Sequence, residues 1–322
     1  MDLFKNYTPT PLEWCDFNRE GQSHRIGIKR DDLPGAVTAG NKFRKLRYHP
    51  CFQNIVPDRQ LVSMGGGHSN LILALTFLGY KCGYQCHFFT SHTGSESWLM
   101  KECRLKGAQF HTVSRSTLRL WRKSNQVPEE VQYMFPNGVW IPEGGGGPWS
   151  ERGLSELIQE LVDEVGTRRI NLLAGAGTGV TSRYLLKHLP DSWKLWVFPA
   201  LRSESFRQNL LEMSEEQGRS SDFGVLYNPE DRGIGNLGQS ELSVIGEFWR
   251  QCGVLLDPFY NGKAFGALFG SESPIDKDTV LIHSGGIQAW IGLAERFPES
   301  EEIFYLAQIA RKILNQNVGL KF

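Results

Sequence analysis

Residues 169–189 read RINLLAGAGTGVTSRYLLKHL. An apolar run ends in Gly175-Ala176-Gly177-Thr178-Gly179, where backbone is nearly bare, and an amphipathic stretch follows from about Val180. A strand, a glycine turn and a helix in that order make a βα unit. The pattern recurs. QLVSM (60–64) runs into GGGHSN (65–70) and LILALTFLGY (71–80), and DTVLIHSGG (278–286) precedes IQAWIGLAERF (287–297); KLWVFPA (194–200) is a further apolar strand. Repeated βα units predict an α/β fold with mostly parallel sheets and helices on both faces. Ligands of such sheets bind beyond the carboxyl ends of the strands, where these turns lie.

Bulk composition narrows the function classes. At 322 residues the chain is long for one core, so two domains are expected. Lys+Arg and Asp+Glu balance at 35 each, which gives no basic footprint for nucleic acid or a membrane surface. The first residues, MDLFKNYTPTPLEW, lack the apolar core of a signal peptide. No apolar run reaches the roughly 18–20 residues needed to cross a bilayer. Six scattered cysteines without a C-x-x-C pair fit reduced thiols better than a disulfide framework. A soluble cytoplasmic protein is expected. KCGYQCHFF (81–89) brings Cys82, Cys86 and His87 close together, but its alternation reads as a strand, so no metal site is expected. PEGGGGPWSERG (142–153) reads as a domain seam or lid hinge.

Four loops carry candidate chemistry. In Gly175–Gly179 the amides at the start of the following helix, with its macrodipole, suit a phosphate. The Lys-Ser/Thr ending of a P-loop is missing, and Thr181 and Ser182 follow Val180 with no third glycine for a dinucleotide fingerprint. A monophosphate is the expectation. In GGGHSNL (65–71) three glycines permit close approach of a ligand, and Ser69 and Asn70 offer a hydroxyl and an amide at a helix mouth. Either could equally serve as an N-cap. In LLDPFYNGKAFGAL (255–268), Tyr260 follows Pro258 at an expected strand end, and Ser284-Gly285-Gly286 closes another strand. AGNKFRKL (39–46) adds two lysines three apart, and nothing in that segment alone chooses between them. A lysine becomes a candidate nucleophile when its amine is desolvated or aimed at a carbonyl.

Together these segments resemble pyridoxal-phosphate (PLP) enzymes of the tryptophan synthase β type, fold type II. Within that type they look like the group of 1-aminocyclopropane-1-carboxylate (ACC) deaminase and D-cysteine desulfhydrase. The likeness runs from TPTPLE (8–13) through IKRDDLPGAVTAGNKFRKL (28–46), GGGHSN and GAGTG to DPFYNGKAFGAL and HSGG. It implies a large cofactor-binding domain of residues 1–47 plus 147–322 and a small domain of residues 48–146 inserted in it. It also implies that Lys42 forms the Schiff base with pyridoxal 5'-phosphate, while Lys45 is an ordinary surface or helix lysine. Gly175, Ala176, Gly177, Thr178 and Gly179 would hold the phosphate, and Asn70 the ring hydroxyl. Ser69 would lie near the substrate carboxylate and Tyr260 against the cofactor as an acid/base or orienting group. Asn261 and Ser284 would face the pyridine ring.

The chain departs from that pattern where Leu71-Ile72-Leu73 replaces polar residues after Ser-Asn and His68 replaces Gln. Asn261 stands where the deaminases carry Glu and the desulfhydrases commonly Thr, and Ser284 where they carry Leu and Thr respectively. Both positions argue against ACC opening. The resemblance implies a lyase acting on a small amino acid, D-cysteine desulfhydrase first and ACC deaminase (a hydrolase) second, working as a homodimer. A cofactor-binding protein with little catalysis is the alternative of another class.

Overall fold

The computed structural model describes residues 4, 7–33, 40–91, 94, 96–124, 126–201, 203–226, 228, 231, 233, 235–269 and 278–318. Residues 34–39, part of the block that carries the resemblance, lie outside them. The described residues contain the strands β1 (Leu12–Arg19), β2 (Gln22–Lys29), β3 (Gln60–Met64), β4 (Gln85–Thr90), β5 (Gln109–Thr112), β6 (Val139–Ile141), β7 (Asn171–Ala176), β8 (Lys194–Pro199), β9 (Phe223–Val225) and β10 (Thr279–Ile282).

The chain divides into two compact units, Met1–Tyr7 with Val37–Gly153, and Thr8–Ala36 with Leu154–Phe322. This differs from the expected division. Residues 1–7, 37–47 and 147–153 group with the smaller unit, so Lys42 belongs to it. One reason is Gly153: a methyl group there would stand 1.9 Å from the Arg44 carbonyl oxygen, so Gly153 lies flush on the backbone that follows Lys42.

The larger unit has a six-stranded sheet in the order β1-β2-β10-β7-β8-β9. All neighbours pair in parallel except β1 and β2. That antiparallel hairpin escaped the βα reading. It closes through Glu20 (φ 52°) and Gly21 (φ 76°), the two-residue turn with positive φ at both positions that suits a twisted hairpin. Strand alternation sorts the core onto two faces. Leu172, Ala174, Val280 and Ile282 share one apolar cluster with Leu157, Leu185 and Leu210 of three helices. Phe17 points to the other face and packs against Phe248, Phe265 and Phe269. Helices therefore cover both sides, as expected. Lys29, fully buried on β2, bonds Thr10, Glu160 (3.0 Å) and Glu164 (2.9 Å), which fastens the sheet to the helix Pro148–Val165.

The smaller unit carries a four-stranded parallel sheet, β5-β4-β3-β6. Adjacent strand positions face opposite ways, so Cys86 and His87 part company. Cys86 lies under Gly79, whereas His87 pairs with His111 (Nδ1 to Nε2, 3.2 Å) and packs on Phe135. No group of three metal-ligating side chains occurs among the described residues.

The expectation of six reduced thiols is corrected. Cys15 on β1 and Cys252, at the end of the helix Gln239–Cys252, form a disulfide with Cα atoms 5.8 Å apart. They lie 237 positions apart in the chain, a proximity that cysteine spacing cannot reveal. The pair also removes cysteine usage as a ground for a reducing compartment. Cys51, Cys82, Cys86 and Cys103 are free and buried. Among the described residues no helix is long and apolar enough to cross a membrane.

His49 gives the smaller unit a pH dependence. Its Nδ1 accepts the Cys51 amide (3.2 Å) at the start of the helix Pro50–Gln53, and its ring meets Trp149 edge-on at 4.2 Å. Only a neutral ring can accept that bond. Burial, helped by the Arg59 charge, lowers its pKa from 6.5 to about 4. The unfolded chain binds this proton near pH 6.5 and the folded chain only near 4. The stabilisation is therefore complete above pH 6.5 and is lost as the pH falls to 4. Denaturation midpoints measured from pH 7 to 4 should fall, with His49 contributing up to about 3 kcal/mol. His49→Asn, which keeps an N-cap acceptor without titrating, should flatten that part of the slope.

Candidate functional site

Lys42, Ser69 and Asn70 are carried by the smaller unit; Gly175–Gly179, Tyr260, Asn261 and Ser284 are carried by the larger.

In the smaller unit the helix Asn41–Leu46 starts behind Gly40, whose φ of 72° and ψ of −153° need glycine. Lys42 is thereby placed in the first turn. It is half-buried, and its Nζ donates to Asn41 Oδ1 at 2.9 Å. Lys45 is not a surface lysine: it is 2% exposed, and its Nζ donates to the Gly144 carbonyl at 3.0 Å. Burial, and then the charge of Lys42, hold its pKa well below the usual 10.5. The desolvation expected of a reactive amine thus falls on Lys45, and the position after Gly-Asn falls on Lys42.

Ser69 caps the helix Asn70–Cys82, its hydroxyl accepting from the Ile72 amide at 3.4 Å. A methyl group at Gly65 would stand 2.9 Å from that hydroxyl, which accounts for one of the three glycines; at Gly66 it would meet nothing within 4 Å. Asn70 is the first helical residue and half-buried. Leu71, Ile72 and Leu73 are buried, and Leu71 packs against Gly145 (φ 72°). The departure from polar residues after Ser-Asn therefore builds core. The glycines of 142–153 are part of this packing, with Gly144 bonded to Lys45 and Gly145 seated against Leu71.

In the larger unit β7 runs out through Gly175 and Ala176, and the helix Val180–Lys187 begins after Gly179 (φ 78°) with no side-chain cap. Its opening amides are the donors a phosphate would use. The Ser182 hydroxyl in the first turn is buried and without a partner among the described residues. These features fit a phosphate-bearing cofactor.

Tyr260 lies directly on this turn. A methyl group at Gly177 would stand 3.2 Å from its ring, and one at Gly175 2.7 Å from its carbonyl carbon. No strand directly precedes Tyr260, contrary to expectation; residues 254–257 have no regular secondary structure and the helix Asn261–Ala267 follows. Asn261 is fully buried, with Nδ2 donating to the Gly285 carbonyl and Oδ1 accepting from Ser284, both at 3.3 Å. The structure thus brings the glycine turn, Tyr260, Asn261 and Ser284 together in one unit.

Sequence reasoning missed Asp257 and His283 beneath these turns. Asp257 is 1% exposed and accepts three amides, those of Phe259 (3.0 Å), Tyr260 (2.7 Å) and Asn261 (2.8 Å). Burial raises its pKa, and the amides of Tyr260 and Asn261, then His283, pull against that rise. The signal was present in DPFYN, since an Asp that bonds the backbone two and three residues on makes an Asx turn. His283 is fully buried; Nδ1 accepts the Gly285 amide (3.3 Å) and Nε2 donates to the Leu255 carbonyl (2.8 Å). Asp32 lies 3.9 Å from its Nε2 and has a lowered pKa: burial would raise it, but the hydrogen bond and charge of Arg30 hold it down.

No protein-family model matches the chain. It is 26% identical over 314 residues to D-cysteine desulfhydrase of Yersinia enterocolitica, covering 90% of this chain and 94% of that one. It is 24% identical over 315 residues to the mitochondrial bifunctional D-cysteine desulfhydrase/1-aminocyclopropane-1-carboxylate deaminase of Arabidopsis thaliana, covering 87% of this chain and 77% of that one. Among solved structures, an ACC deaminase homologue matches with a TM-score of 0.71 at 20% identity, over 93% of this chain and 94% of the other. The fold is that of the PLP enzymes of fold type II. These relatives match the resemblance read from the motifs.

Gly175 tests how tightly the turn is built. Gly175→Ala must displace the Tyr260 backbone and should cost about 1–3 kcal/mol in denaturant titration. Gly66→Ala, in open space, should stay within about 0.5 kcal/mol of the parent.

Proposed function

We propose that the chain is a PLP-dependent lyase of D-cysteine desulfhydrase type, converting D-cysteine and water to pyruvate, sulfide and ammonia. The observation that carries this reading is the Gly175–Gly179 turn with the Tyr260 ring against Gly177 and the Asn261–Ser284 pair beside it. Full-length similarity to enzymes of that name supports it. Pyridoxal phosphate held there would supply the electron sink for the substrate α-carbon.

The residues divide the remaining work. Gly175, Ala176, Gly177, Thr178 and Gly179 hold the phosphate through backbone amides, with the Ser182 hydroxyl available in the same first turn. Lys42 would hold the cofactor through its amine and would take the substrate α-proton. Asn70 bonds the ring hydroxyl, and Ser69 lies by the substrate carboxylate. Tyr260 orients the ring and moves a proton at its phenolic oxygen. The buried Asn261 amide, bonded to Ser284, would face the ring as an uncharged partner.

ACC deamination ranks second, because Asn261 and Ser284 differ from the residues that the resemblance associates with ring opening. A cytoplasmic homodimer belongs to the same reading, and sedimentation of the purified protein tests its assembly.

Purified protein titrated with pyridoxal phosphate should develop the visible absorbance of a Schiff base. An amino-acid panel assayed for pyruvate and sulfide should single out D-cysteine. Lys42→Ala should abolish the band and lower turnover at least about 10³-fold, while Lys45→Met should keep the band. A band lost in Lys45→Met and kept in Lys42→Ala would transfer the role to Lys45. A band that no amino acid perturbs would favour a binding protein.

A further inference from the structure

Two buried titratable groups of the larger unit, Asp257 and His283, have no role in the proposed reaction, although each bonds a turn that does. Asp257 is the shared acceptor for the amides of three successive residues, among them Tyr260 and Asn261. A carboxylate that accepts several amides fixes the orientation of each peptide unit, and burial strengthens those bonds. The other side of that backbone is closed too. Gly175 lies so near that a methyl group would stand 2.8 Å from the Tyr260 carbonyl oxygen, and one at Gly262 would meet the Asp257 carbonyl at 2.5 Å. Tyr260 therefore has no freedom to turn except by breaking the Asp257 bonds.

His283 does the matching task across the site. It directly follows β10, and its Nδ1 takes the Gly285 amide while Nε2 donates to Leu255, two residues before Asp257. With one nitrogen accepting from an amide and the other donating to a carbonyl, the ring is bonded at both ends. The Gly285 carbonyl then receives Asn261 Nδ2, and Ser284 donates to Asn261 Oδ1. The bonds run from Asp257 to Asn261, from Asn261 to Ser284 and Gly285, from Gly285 to His283 and from His283 to Leu255, and the backbone between Leu255 and Asp257 closes the circuit.

We infer that Asp257 and His283 are positioning residues that lock the Tyr260–Asn261 turn and the Ser284–Gly286 turn into one piece, and so set the angle at which Tyr260 and Asn261 meet the cofactor ring. This rests on the PLP reading for the identity of the ring. The circuit itself does not.

The test uses the full chain, with and without pyridoxal phosphate. Hydrogen exchange followed by mass spectrometry on the cofactor-free protein reads the circuit. Asp257→Asn should speed exchange at least tenfold in residues 259–261 and also in residues 284–286. His283→Leu should do the same in both segments, whereas His283→Gln, which keeps an acceptor and a donor, should restore most of the protection. In the loaded protein, induced circular dichroism of the cofactor band reads ring orientation. Asp257→Asn and His283→Leu should keep the absorbance band but lose more than half of its dichroism, and kcat should fall 10- to 100-fold with KM within threefold. Exchange confined to the mutated turn, or unchanged dichroism and kcat, overturns the inference. If Asp257→Asn does not fold, the His283 pair carries the same comparison. A parent protein that takes up no pyridoxal phosphate ends the functional reading, and exchange still decides whether the circuit exists.

Discussion

The candidate site hangs on a carboxylate with nowhere to go. Asp257 is out of reach of water and must satisfy both oxygens from the protein, because a buried carboxylate without donors costs several kcal/mol. It does so by gathering the amides of Phe259, Tyr260 and Asn261, so the backbone must curl tightly around it. That curl starts the helix Asn261–Ala267, points the Tyr260 ring at the glycine turn and buries the Asn261 amide among polar partners. Gly175 and Gly262 are glycines because this compact turn leaves no room for a side chain at either place.

Much of this was legible in the sequence. The βα units were readable because each joins a short apolar run to a glycine turn and a helical period, all within about 25 residues of chain. The turns at Gly175–Gly179 and Ser284–Gly286 fell where that pattern put them. What stayed hidden depended on distant partners. The β1–β2 hairpin had only Glu20-Gly21 to announce it. The Cys15–Cys252 pair and the burial of Lys45 under Gly144 arise from contacts between segments about 100 or more positions apart. No local periodicity encodes such contacts.

The two lysines show how local pattern and environment separate. Lys42 and Lys45 sit one turn apart on a six-residue helix, so the same backbone presents both. Position relative to Gly40 marks the first; burial marks the second. A buried ammonium loses hydration and gives up its proton more readily, and a neighbouring like charge deepens the effect. The two amines therefore influence each other electrostatically whichever of them engages a carbonyl.

The strand order also governs how the chain reaches its folded state. β10 lies between β2 and β7, with Thr279 opposite Ile26 and Asn171. The sheet of the larger unit is therefore open at its middle until the last fifth of the chain has emerged. The smaller unit draws nearly all its residues from the continuous segment 37–153 and needs nothing from the far end. During synthesis it can form first, while β1 and β2 wait as a hairpin for a partner more than 200 residues away. Over that interval the inner edge of β2 carries unpaired backbone groups and the apolar side chains of Ile26 and Ile28, so the nascent larger unit is exposed to aggregation until β10 closes the gap.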